Sequence, residues 1–149
     1  CSRYGFRQRN TRLRRERAAD LVVIDTSAVL AVLLDESECE AFVQAIATAD
    51  ICRLSVANFV EASMVLQSRS GAEAVRRLDL LIHRAGIVVP PVSADHGLAA
   101  RDAFARYGRG RHPARLNFGD CFAYALAKEV DEPLLFKGDD FGKTDVSRA

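Results

Sequence analysis

A chain of 149 residues, 49% of them apolar, is long enough to bury a real core as one domain and too short to favour two. Its longest apolar runs are interrupted by Asp25, Glu61 or Asp120 before they reach the roughly 18 residues of a membrane span, so a soluble protein with no membrane partner is expected. The formal net charge of +1 conceals an asymmetry: residues 1–21 carry seven arginines against Glu16 and Asp20, leaving the remainder with 14 basic and 18 acidic residues, a net of −4.

That basic leader has little apolar content and no helical period. It is expected to be disordered, or to be an added extension ahead of a natural start near Val22, with residues 22–149 forming the folded domain. The four cysteines, at 1, 39, 52 and 121, lack the paired spacing of a zinc site or a redox motif. They read as reduced, mostly buried thiols of a cytoplasmic protein.

In chain order, Leu21 to Ile24 is an apolar, β-branched run that stops at Asp25, passes through Thr26 and Ser27, and resumes as a helical run from Ala28 to Leu34. A second helix is expected from Ser37, with Glu36, Glu38 and Glu40 crowding its first turn, where the helix dipole favours them. Ile51 to Leu54 reads as a strand, and Ser55 is placed to cap the helix after it. Gly71 precedes an amphipathic helix with Val75, Leu78, Ile82 and Ala85 on one face, and Gly86 ends it. Ile87 to Val89 reads as a short strand stopped by Pro90 and Pro91. Ala94 to Tyr107 and Asn117 to Glu129 are helical, with a glycine- and arginine-rich loop between them. Leu134 to Phe136 is a strand, and Gly138 to Gly142 a turn. Strands alternating with helices predict an α/β fold with a parallel sheet covered on both faces.

The carboxylates carry the chemistry. Asp25 lies at a strand's C-terminal end, beyond which open α/β sheets bind their ligands. Glu61 is the single charged residue between Arg53 and Arg69, and Asp120 the single one between Arg115 and Lys128. Each has a plain structural reading: Asp25 and Ser27 capping a helix, Glu61 as the solvent-facing residue of its helix, Asp120 favoured by the dipole behind Asn117 as N-cap. Taken together with Asp139 and Asp140 just past the last strand, they form a set that would repel itself unless a cation neutralised it. Oxygen-only ligation selects Mg2+ or Mn2+ over zinc. Such ions clamp phosphate oxygens and activate a water for in-line attack, which points to phosphodiester hydrolysis.

Val23-Ile24-Asp25-Thr26-Ser27-Ala28, Glu61 within Ser55 to Ala62, Leu116-Asn117-Phe118-Gly119-Asp120-Cys121 and Lys137-Gly138-Asp139-Asp140-Phe141 resemble, in order and spacing, the motifs of PIN-domain ribonucleases, specifically the VapC toxins of toxin–antitoxin pairs. The resemblance spans about residues 22 to 146. It implies a three-layer α/β/α sandwich with a central, mostly parallel sheet, Mg2+- or Mn2+-dependent cleavage of RNA, a homodimer, and neutralisation by a VapB-type antitoxin. Position by position, Asp25, Glu61 and Asp120 match the family's acidic triad. The fourth acidic position falls on Asp139 or Asp140, with Asp139 preferred because it directly follows the glycine. Thr26 and Ser27 match the hydroxyl positions beside the first aspartate. Thr144-Asp145 resembles the closing motif and is taken as structural.

Arg106, Arg109, Arg111, His112 and Arg115 cluster just before Asp120. An acidic pocket repels RNA, so a cationic rim of Arg109, Arg111 and Arg115 is expected to hold its phosphates, the plainer reading being solvated loop charges. His83, His96 and His112 are scattered and form no acid–base pair for metal-free cleavage. A haloacid-dehalogenase-type phosphatase would want an aspartate where Ser27 stands. A receiver-like domain would want an acidic pair ending the first strand. A catalytically silent PIN module that binds only RNA or its partner is the non-enzymatic alternative.

Overall fold

The computed structural model describes residues 19–149. Residues 1–18, most of the expected basic extension, lie outside the described residues, as does Cys1. Strand β1 (Leu21–Ile24) leads into helix α1 (Thr26–Leu33), then α2 (Cys39–Thr48), β2 (Ile51–Arg53), α3 (Val56–Ser70), α4 (Ala72–Ala85), α5 (Ala94–Tyr107), α6 (Phe118–Val130), β3 (Leu134–Leu135) and a 3-10 turn (Phe141–Lys143).

Among the described residues the strands form one parallel sheet in the order β2-β1-β3, with Val22 opposite Cys52 and Val23 opposite both Arg53 and Leu134. Successive side chains of a strand point to opposite faces, and β1 shows the result. Val22 and Ile24 enter a core built with α1, α3 and α4 residues such as Val29, Leu66 and Leu78. Val23 enters a second core with Ala100, Leu116 and Leu126 from the α5–α6 side. The sheet is thus covered on both faces, the three-layer arrangement expected. Cys39, Cys52 and Cys121 are buried.

Three local expectations shift. The second helix begins at Cys39, behind Glu38, which makes no side-chain cap, so Glu40 is the acid of its first turn. Glu36 and Glu38 instead receive the Lys137 ammonium, at 2.8 Å and 2.9 Å. The Ile87–Val89 strand shrinks to a single bridge between Arg53 and Val88, since the prolines that follow supply no N–H to continue a ladder. At the other edge the chain's end runs along β3, with Leu134 N donating to Ser147 O at 2.8 Å.

Candidate active site

The parallel sheet places the C-terminal end of β1 at the site, and Asp25 is the first residue beyond it. Asp25 is extended, 2% exposed, and N-caps α1: its Oδ2 accepts from Ser27 N at 2.9 Å and from Ser27 Oγ at 2.6 Å. The Ser27 hydroxyl also accepts from Lys137 N at 3.0 Å, which links the end of β3 to the first helix. The capping reading and the site reading of Asp25 therefore describe the same atoms.

Ser55 caps α3 as expected, accepting from Asn58 N at 3.1 Å. One turn apart on α3, Asn58 and Glu61 share a face. Asn58 is fully buried and points its amide nitrogen at Thr26 Oγ1 (2.9 Å), the Gly119 carbonyl (3.1 Å) and Asp25 Oδ1 (3.3 Å). The Thr26 hydroxyl donates in turn to Glu61 Oε2 at 2.6 Å. The Glu61 carboxylate lies directly over Gly119, where a Cβ would overlap it.

Asp120 stands in the first turn of α6 in a capping box: Asn117 Oδ1 accepts from Asp120 N at 2.9 Å, and Asp120 Oδ2 accepts from Asn117 N at 2.8 Å. Here too the cap and the candidate site residue coincide. The carboxylates feel one another. Burial pushes the Asp25 carboxyl up from its ordinary value, Ser27's hydrogen bonds oppose this, and the Glu61 charge adds to the rise. Asp120 is pushed up to about 7, chiefly by burial, against the Asn117 N–H and with further repulsion from Asp25, Glu61 and Asp140.

Asp139 and Asp140 are both exposed, in the turn that follows Gly138, whose φ of +90° suits glycine. Of the two, Asp140 is the one whose charge bears on Asp120. Arg109, Arg111 and Arg115 are exposed on the loop between α5 and α6, where with His112 and Pro113 they line a shallow cavity of about 440 Å³. Asp145 is held by its hydrogen bonds, accepting from Tyr124 at 2.5 Å and from Tyr107 at 3.1 Å.

Among the described residues no three His, Cys, Asp or Glu side chains are drawn into a ready-made ligand group. Each carboxylate instead has a local donor: Ser27 for Asp25, Thr26 for Glu61, the Asn117 amide for Asp120. The donor set is nonetheless all oxygen and negatively charged, with raised carboxyl pKa values that a cation would relieve, and this chemistry suits Mg2+ or Mn2+. Sequence reasoning missed Asn58. A lone asparagine among Val56, Ala57, Phe59 and Val60 carries no charge to mark it, and the one usable signal was its place one turn ahead of Glu61.

The PIN domain family matches residues 22–147. The chain is 49% identical over 126 residues to the Ribonuclease VapC of Mycolicibacterium smegmatis, an alignment covering 85% of this chain and 98% of that protein. It is 50% identical over 129 residues to Ribonuclease VapC28 of Mycobacterium tuberculosis, covering 86% of this chain and 97% of the other. The crystal structure of Mycobacterium tuberculosis VapC20, a Sarcin-Ricin loop cleaving toxin, shares the fold with a TM-score of 0.72 at 17% identity, over 86% of this chain and 98% of that one. The matched family is neither the phosphatase nor the receiver domain weighed above. A family match over residues 22–147, a sandwich shared with a solved toxin, and relatives at half identity over nearly their whole length lead to one assignment: this chain belongs to the PIN-domain family, among its VapC ribonucleases.

Proposed function

We propose that this chain is an endoribonuclease toxin that hydrolyses RNA phosphodiester bonds at the crevice beyond β1, using Mg2+ or Mn2+ held by carboxylate oxygens. The observation that carries the reading is a hydrogen-bonded cluster that joins acids from distant points in the chain: Asn58 donates to Asp25 and to Thr26, Thr26 donates to Glu61, and the Gly119 carbonyl beside Asp120 accepts from the same amide. In this reading Asp25 and Asp120 are the principal ligands, with Glu61 and one turn aspartate completing the site. The coupling to Asp120 supports Asp140 for the fourth position, beside Asp139. When bound, the cation supplies Lewis-acid stabilisation of the phosphate and lowers the pKa of water. Ser27 orients Asp25, Thr26 orients Glu61, and the Arg109, Arg111 and Arg115 rim holds the RNA backbone near a pocket that would otherwise repel it. VapC toxins as a family act on RNA and pair with VapB antitoxins. For this chain we propose a cognate VapB-type antitoxin, a homodimer and a cytoplasmic setting, a reading that the membership supports; no helix among the described residues is long and apolar enough to cross a membrane.

The test is cleavage of total RNA by the purified protein with Mg2+ or Mn2+, with EDTA, and with Asp25→Asn in place of the wild type, followed by sequencing of the new ends. Metal-dependent cleavage that is lost in the variant is expected. Full cleavage in EDTA overturns the metal reading, and RNA binding without cleavage under either ion assigns the silent module instead.

A further inference from the structure

Asn58 is a neutral side chain with no exposed surface, surrounded by the groups proposed to do the chemistry. Its amide nitrogen carries two hydrogens and faces three oxygens: Thr26 Oγ1 at 2.9 Å, Gly119 O at 3.1 Å and Asp25 Oδ1 at 3.3 Å. Its oxygen accepts from the Ser55 hydroxyl. The amide orientation is fixed by this surround, because the reverse orientation would set an oxygen against a carboxylate and a carbonyl.

The arrangement has a direction. Thr26 has one hydroxyl proton, and its oxygen already accepts from Asn58, so that proton is free to go to Glu61 Oε2 at 2.6 Å. The competing acceptor, the Asn58 backbone carbonyl, is 3.4 Å away and loses. Meanwhile the Gly119 carbonyl, one residue from Asp120, is tied to the same nitrogen as Asp25. A chain of donors thus runs from α3 through Thr26 and back to α3 at Glu61, with a branch to α6.

We infer that Asn58 is a positioning residue of the nuclease site: it makes the Thr26 hydroxyl a donor to Glu61 and ties Gly119, and with it Asp120, to Asp25. The inference rests on the metal-nuclease reading given above. An amide suits the task because it donates hydrogen bonds to the acids without bringing a charge of its own. A lysine or arginine there would compete with a divalent cation, and an aspartate would add to the repulsion. Asn58 does not touch the reacting atoms in this role. It acts through Thr26, Gly119 and Asp25.

The full chain tests this with Mn2+ as the probe. Calorimetric Mn2+ binding and steady-state RNA cleavage are compared for wild type, Asn58→Ala, Asn58→Leu, Thr26→Val and Thr26→Ser. The inference expects Asn58→Leu to weaken Mn2+ binding at least tenfold and to lower kcat at saturating Mn2+ at least tenfold, while KM for RNA stays within twofold. Thr26→Val should reproduce much of this loss, Thr26→Ser should restore at least half of it, and the Asn58→Leu/Thr26→Val double variant should be little worse than Asn58→Leu alone, because both cut one chain. Mn2+ affinity and kcat within twofold of wild type in folded Asn58 variants overturn the inference and leave the nuclease reading intact. Should the Asn58 variants fail to fold by circular dichroism, equal behaviour of Thr26→Val and Thr26→Ser overturns it. A wild-type protein that neither binds Mn2+ nor cleaves RNA removes the reading beneath it.

Discussion

Glu61 and Gly119 share one volume: the carboxylate on α3 lies where a side chain on the second residue of α6 would begin. Glycine inside a helix costs up to about 1 kcal/mol relative to alanine, so Gly119→Ala would stabilise α6 if the space were open. Because the overlapping group is the end of a flexible side chain, Glu61 can swing away and leave the fold intact. The expected outcome is a melting temperature within a few degrees of wild type and RNA cleavage reduced at least tenfold. Wild-type cleavage by Gly119→Ala would show that the position of Glu61 over this glycine has no part in the reaction.

Asp25→Asn and Asp120→Asn separate stability from activity. Burial and mutual repulsion make both carboxylates costly to ionise, Asp120 to the point of an elevated value of about 7. An amide removes that cost, so in EDTA the Asp120→Asn protein should be more stable than wild type by about 1–2 kcal/mol, several degrees in melting temperature. Millimolar Mg2+ or Mn2+ should raise the wild-type melting temperature, since an ion that binds only the folded state stabilises it, and should raise the variants' less. Cleavage should be lost in both. Differential scanning calorimetry with and without the ion, beside the cleavage assay, reads all three effects, and activity retained in both variants would contradict the site.

Neutralising Arg109, Arg111 and Arg115 together, each to Gln, should weaken RNA binding and flatten its dependence on salt. Every single-strand phosphate that an arginine no longer neutralises lowers the slope of log K against log salt by about 0.7, so three such arginines predict a change of about 2. Filter binding across a salt series measures it. The three arginine side chains are exposed, while the loop is anchored by the buried Ala114 and Leu116, so the melting temperature should stay close to wild type. An unchanged slope would assign the three arginines to solvent.

Asp145 sits in an acid-sensitive arrangement. The hydrogen bond from Tyr124, first, holds its carboxyl below the ordinary 3.8; burial opposes it, and the Tyr107 hydrogen bond and the Lys128 charge add to the lowering. A carboxyl whose folded value is depressed contributes stability that is complete above the unfolded value and is lost as pH falls through the folded one. The wild-type melting temperature should therefore drop as pH falls below about 4, more steeply than that of Asp145→Asn. Two melting curves against pH check it, and parallel acid limbs would show that Asp145 is not responsible.

Much of the candidate site is legible in the sequence because charge is conspicuous among apolar residues. Glu61 and Asp120 stand out in their segments for that reason, and Asp25 marks itself by ending a β-branched run. The plain readings were also right in part, since Asp25 caps α1 and Asp120 closes a capping box. Asn58 was not legible, because a buried amide is known by its partners and those lie 32, 33 and 61 residues away in sequence. Glu36 and Glu38 misled for a related reason: a helix dipole favours acids near its start, but a lysine a hundred residues downstream attracts them more strongly. The strand at Ile87 was overstated because β-branched residues set a tendency, while pairing needs a neighbour whose ladder continues.

Lys137 works in two directions at once, its amide donating to the Ser27 hydroxyl and its ammonium bridging Glu36 and Glu38. The acidic turn is therefore latched at its root to the connector between α1 and α2. A disturbance in that connector, remote from any phosphate, would travel through a single residue to the serine that aims Asp25, and the two loops would shift as one hinge rather than independently.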